Sequence, residues 1–178
     1  SLKIINKNSK FLDPKLLDEI ILVLDSLSVN NPDLVYSRFR EDYLMIKSSE
    51  ISKGLFAFSF EKHPSLFYNF IRTDEIIDNY FYISDGFSEN NNLDLSQRVT
   101  LFNIQEMIEN EILRANSFLV SGTFFSDLPI FDNNVIFISP GYHSTLFNNS
   151  HFSSGLVING IDQNEINIIM NKFLYNSI

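Results

Sequence analysis

The sequence predicts an α+β domain in which a mainly antiparallel sheet carries three or four helices on it. Three segments bear complete helix start signals, and eight short apolar or alternating runs read as strands. The two kinds do not alternate in the strand–helix–strand rhythm of a doubly wound parallel sheet, which leaves an antiparallel sheet with packed helices as the expected arrangement.

The first helix is expected over about residues 14 to 28. Asp13 supplies the N-cap, Pro14 takes the first helical position, and Leu12 is spaced to staple onto Leu17. Leu16, Leu17, Ile20, Ile21, Leu24 and Leu27 fall on one face, and Asn30-Asn31-Pro32 ends the run. Strands follow at Leu34 to Arg40, Tyr43 to Lys47 and Gly54 to Phe60, with Glu41-Asp42 and Ser48 to Lys53 as the connections of a meander. In the third of these, Phe56, Phe58 and Phe60 share one face while Leu55, Ala57 and Ser59 share the other. Pro64 to Asp78 is ambiguous: Leu66, Phe67, Phe70 and Ile71 have helical spacing while their aromatic bulk also suits a strand, and Pro64, suited to a first turn, favours a helix.

Tyr80 to Ser84 and Val99 to Phe102 are the next strands, separated by the polar loop Ser88 to Asn92. Asn103 then caps a central helix, with Glu106 completing a capping box, Phe102 stapling onto Met107, and Ile104, Met107, Ile108, Ile112 and Ala115 facing inward. Further strands lie at Phe118 to Ser121, Val135 to Ser139 and Leu156 to Asn159. The last helix starts at Asp162 with Glu165 as box partner, and Ile166, Ile169, Met170, Phe173 and Leu174 have the spacing of an amphipathic helix. No repeat or linker interrupts the chain, so a single domain over residues 1–178 is expected.

Composition limits function. With 44% hydrophobic and 20% charged residues the chain lies well away from the disordered class. Its 18 Phe and 7 Tyr, with no Trp, predict an aromatic core. The absence of Cys removes disulfides, thiolate nucleophiles and cysteine-ligated zinc, and fits a reducing compartment. No run is long and apolar enough for a membrane span, and the start is too polar for a signal-peptide core, so a cytoplasmic protein without membrane contact is expected. Charge is uneven. Residues 1–72 sum to +1 and residues 73–178 to -10. An anionic field of that kind repels nucleic acid and attracts cationic proteins.

The chemistry-bearing motifs are absent: no phosphate loop, no G-x-G-x-x-G, no G-x-S-x-G, no H-E-x-x-H and no EF-hand loop. No metal, cofactor or catalytic residue is therefore assigned. Two segments remain. Asp74, Glu75, Asp78, Asp85 and Glu89, interleaved with Tyr80, Tyr82 and Phe87, form an acidic and aromatic stretch suited to docking a basic protein. The stretch from Pro140 to Gly155 reads as a long loop holding Tyr142, His143, Ser144 and His151, from which a nucleophile and base could be assembled. The leading expectation is a non-enzymatic binding protein that neutralises or escorts a basic partner, a toxin or an effector. Its most concrete form is a bacterial immunity protein against a secreted nuclease-type toxin, with an acidic secretion chaperone and a small hydrolase using Tyr142 to His151 as alternatives.

Overall fold

A computed structural model describes residues 3–6, 14–49, 51–67, 71–72, 77–125, 129–147 and 155–176. In chain order the elements are β1 (Lys3–Asn6), α1 (Pro14–Ser28), β2 (Val35–Lys47), β3 (Ser52–Phe60), a 3-10 turn (Pro64–Leu66), β4 (Ile71–Arg72), β5 (Phe81–Ser84), α2 (Asp85–Asn90), β6 (Arg98–Phe102) and α3 (Ile104–Asn110). They continue with β7 (Ala115–Leu119), β8 (Gly122–Phe124), α4 (Pro129–Asn134), β9 (Val135–Ile138), α5 (Pro140–Leu146), β10 (Gly155–Asn159) and α6 (Gln163–Asn176). The architecture is α+β, as expected. The chain forms two compact units, residues 1–39 with 152–178, and residues 40–151.

In the first unit β10 lies between β1 and the Val35 to Phe39 part of β2, antiparallel to both, with Ile5 opposite Leu156 and Ser37 opposite Val157. Helix α1 forms where the apolar spacing predicted it. Its Leu17, Ile20 and Leu24, at i, i+3 and i+7, are buried in one cluster with Leu34, Leu156, Ile158, Ile161 and Ile166. Each such side chain contributes about 1.5–3 kcal/mol by leaving water. At the rim of this cluster the Tyr36 hydroxyl donates to Asp25, and Arg38 pairs with Asp18 at 2.5 Å. The cap and staple assigned to Asp13 and Leu12 lie outside the described residues.

In the second unit the strand order is β7-β6-β2-β3-β9-β5-β8-β4. Two pairings, β3 with β9 and β5 with β8, are parallel, so the sheet is mixed within a mostly antiparallel plan. The pleat sorts its side chains. Leu55, Ala57, Phe81, Ile83, Ile136 and Ile138 join Leu44, Ile46, Val99, Leu101 and Leu146 in one core. On the other face Phe58, Phe137 and Tyr82 stand in register, and Phe60 and Phe124 pack on Phe137 with ring centroids 5.6 and 4.6 Å away. The alternation read along the Phe-rich strand thus holds.

Several expectations are corrected. Glu41-Asp42 is not a turn but the middle of β2, which is extended over thirteen residues. Of the stretch 64–78 expected to be helical, the described residues form a 3-10 turn at Pro64–Leu66, capped by His63, and strand β4 at Ile71–Arg72, while 68–70 and 73–76 lie outside the described residues. Ser88 to Asn90 belong to α2, whose N-cap Ser84 accepts from the Phe87 amide. Pro140 to Leu146 are helical because Ser139 accepts from the Tyr142 amide and Pro140 takes the first-turn position. The central helix is capped by Asn103 as expected, yet ends at Asn110, where Glu111 takes a left-handed conformation at φ 54. Met107, Ile108 and Ile112, expected to face inward, are exposed, and no residue of this helix is buried.

Gly160 offers a direct check on the first unit. It sits at φ 84, and a Cβ there would stand 1.9 Å from the Asp33 carbonyl oxygen. Gly160→Ala is expected to lower unfolding stability by about 1–3 kcal/mol, read from urea denaturation.

Candidate functional site

In the second unit, β2 places Arg40 and Asp42 two residues apart, and therefore on one face of the strand. From α5 the buried His143 brings Nε2 to 2.6 Å from Asp42 Oδ2, and an Arg40 guanidinium nitrogen stands 3.4 Å from the same oxygen. The imidazole stacks on Phe147 at 4.6 Å, which fixes its plane. Asn103, also buried, donates from Nδ2 to the Leu146 carbonyl at 3.1 Å while its Oδ1 accepts from the Glu106 amide at 3.1 Å. One side chain thereby joins the start of α3 to the end of α5. These groups border an open polar cavity of about 310 Å³, lined by Arg40, Asp42, Asn103, Gln105, Glu106, Glu109 and Phe147.

Helix α3 borders this cavity with its polar residues. Gln105, Glu106 and Glu109 line it, Gln105 donates to Glu109 at 3.0 Å, and Glu106 lies 3.7 Å from Arg114. Gln105 and Glu109 remain exposed at the cavity mouth, and Glu106 is half-buried.

Among the described residues of the candidate hydrolase loop, Ser144 and His143 are directed to different partners. Ser144 is exposed on α5 and donates its hydroxyl to the Gly141 carbonyl at 2.8 Å, while His143 is committed to Asp42. Tyr142 packs its ring on Phe118 with centroids 4.5 Å apart, and His151 lies outside the described residues. Among the described residues no group of three or more His, Cys, Asp or Glu is placed to hold a metal ion.

The acidic and aromatic stretch is also rearranged. Tyr80, Tyr82 and Phe87 are buried, so their rings are core rather than docking anchors. Asp78 and Glu89 are exposed, Asp85 sits in the first turn of α2, and Asp74 and Glu75 lie outside the described residues.

Sequence reading missed a second cluster. His63 Nδ1 accepts from the Ser65 amide at 3.2 Å, which places the ring proton on Nε2, 2.8 Å from the Tyr82 hydroxyl. Tyr80 stacks on Tyr82 at 4.7 Å, and its own buried hydroxyl has no hydrogen-bond partner among the described residues. Burial, and then the Tyr82 phenol, push the Tyr80 hydroxyl well above the usual phenol range. Burial also raises Tyr82 and holds His63 below the usual imidazole value of 6.5. The only sequence signal was His63 ahead of Pro64, which reads as a turn residue rather than a cap with a buried ring.

No family model matches the chain, and no curated protein matches it. Solved structures do share its architecture. The extracellular domain of the noncanonic ABC-type transporter YknZ from Gram-positive bacteria superposes with a TM-score of 0.56 at 9% identity, over 94% of this chain and 86% of that one. The periplasmic region of MacB from Actinobacillus actinomycetemcomitans superposes with a TM-score of 0.61 at 7% identity, over 98% of this chain and 82% of that one. At such identities the likeness is one of fold. The expectation of a cytoplasmic immunity protein or secretion chaperone that binds a basic toxin or effector away from any membrane is corrected by this finding, because the two chains named here are the extracellular domain of an ABC-type transporter and a periplasmic region.

Two outcomes test the clusters. Asp42→Ala is expected to cost about 1.5–3 kcal/mol of unfolding free energy, the range for a hydrogen bond to a charged group, whereas Ser144→Ala stays within about 0.5 kcal/mol. For His63, the folded value lies below 6.5, so the folded state binds fewer protons than the unfolded chain as pH falls through 6.5. Stability is therefore present above that pH and declines below it towards the folded value. His63→Asn, which keeps an oxygen acceptor for the Ser65 amide, is expected to flatten that decline in urea midpoints measured between pH 7.5 and pH 4.5.

Proposed function

We propose that this chain is the outward-facing domain of a bacterial ABC-type transporter component, acting by binding and conformational coupling rather than by catalysis. The observation that carries the reading is the fold likeness to YknZ and MacB outer domains, which extends over 94% and 98% of the chain. The chemistry agrees. The sequence has no phosphate-binding loop, so ATP would be hydrolysed by another part of such a transporter. His143 serves the Asp42 carboxylate, and the neighbouring Ser144 hydroxyl donates to the Gly141 carbonyl instead.

The same reading accounts for composition that first suggested the cytoplasm. A chain without Cys has no thiol to protect or to pair, and folds alike on either side of a membrane. The excess of acids after residue 72 keeps a domain next to anionic lipid headgroups from adhering to them.

The lack of Cys also supplies the test. Asp78 is exposed and lies before β5. In the full-length native protein, Asp78→Cys is expected to react with a membrane-impermeant maleimide in intact cells, above the background of the unsubstituted protein. Labelling that appears only after lysis would overturn the reading.

A further inference from the structure

We propose that β7 is a self-pairing edge, through which two copies of this chain associate antiparallel about Ser117. The inference is independent of the transporter reading. It begins with hydrogen-bond phase. The Asn103 amide donates to the Arg114 carbonyl and the Val120 amide to the Gln97 carbonyl, in a register that sets Phe102 opposite Ala115 and Arg98 opposite Leu119. In an antiparallel ladder this turns the amides and carbonyls of Asn116 and Phe118 towards β6, and those of Ala115, Ser117 and Leu119 away from it.

No strand pairs with the outward row among the described residues, although the Leu119 carbonyl accepts from Ser121 Oγ at 3.5 Å. Among the described residues strand β7 pairs with β6 alone, and of its five residues only Phe118 is buried. The Ser117 amide is satisfied by its neighbour's side chain, Asn116 Oδ1 at 3.0 Å. Edge strands are ordinarily guarded by charge, proline or a bulge. Ala-Asn-Ser-Phe-Leu has no charge and no proline, and it continues from a tip where Ile112 and Leu113 are 45% and 65% exposed, with Leu119 itself at 42%.

A second copy is the occupant that fits. A two-fold axis at Ser117 pairs Ser117 with Ser117 of the second copy, and Ala115 with its Leu119, all of them residues whose backbone groups point outward. Charge selects the same arrangement. Arg98, exposed, stands beside Leu119 at one end of the edge, whereas Glu109 and Glu111 stand on the tip at the other. Antiparallel pairing brings each Arg98 towards the acidic tip of the other copy, while parallel pairing would bring like charges together.

Sedimentation equilibrium of the 178-residue chain over a range of concentrations tests this. Wild type is expected to approach twice its 20.6 kDa mass as concentration rises. Ser117→Pro, which removes an outward amide at an edge position that tolerates proline, and Leu119→Lys are each expected to hold the mass at that of the monomer. Should Ser117→Pro fail to fold, Leu119→Lys on the exposed face decides. Ser117→Cys is expected to oxidise to a covalent dimer, since paired Cα atoms about 5.5 Å apart lie within disulfide reach; Thr145→Cys, exposed on α5, is expected to remain monomeric. A wild-type chain that is monomeric throughout, or a dimer undiminished by Leu119→Lys, overturns the proposal.

Discussion

Asp42 stays inside an extended strand because its carboxylate is bracketed by Arg40 from the same face of β2 and by the His143 imidazole from α5. Unanswered, a partly buried carboxylate in mid-strand would favour a turn or draw in water. Answered, it ties the strand to the helix that follows β9. Asn103 then fastens the α5 end to the start of α3, so two short helices and one strand are fixed by three polar side chains. Gln105, Glu106 and Glu109 of α3 line the cavity that Arg40 and Asp42 border.

The aromatic face of the second unit obeys a different logic. Phe58, Phe60, Phe124 and Phe137 fill one side of the sheet with rings, and His63, Tyr80 and Tyr82 close one end of that layer with a polar stack. His63 both caps a turn and bonds a buried phenol, so one neutral imidazole supports local backbone and core together. A folded state of this kind resists acid less well than neutral pH.

How much of this was legible in the sequence depends on the range of each interaction. The cap at Asn103, the face of α1 and the alternation along β3 are set within a few residues and could be read directly. The continuity of β2 could not, because the partner that lets Asp42 remain in a strand lies 101 residues away. Helix α5 was obscured by Gly141 and by the Asn- and Ser-rich run after it, although Ser139-Pro140 was a usable start signal. In the acidic stretch, charge and aromatic content were plain, but which rings were core depended on pairings with β8 and β9. The architecture shared with transporter domains at 7 to 9% identity leaves no local signature to find.

The bracketed carboxylate in an unbroken strand is the central structural claim, and backbone 13Cα and 13Cβ chemical shifts across Val35 to Lys47 test it most directly. Extended-strand shifts running without interruption through Arg40, Glu41, Asp42 and Tyr43 are the predicted result. Turn-like shifts at Glu41 and Asp42 would contradict it, and with it the placement of His143.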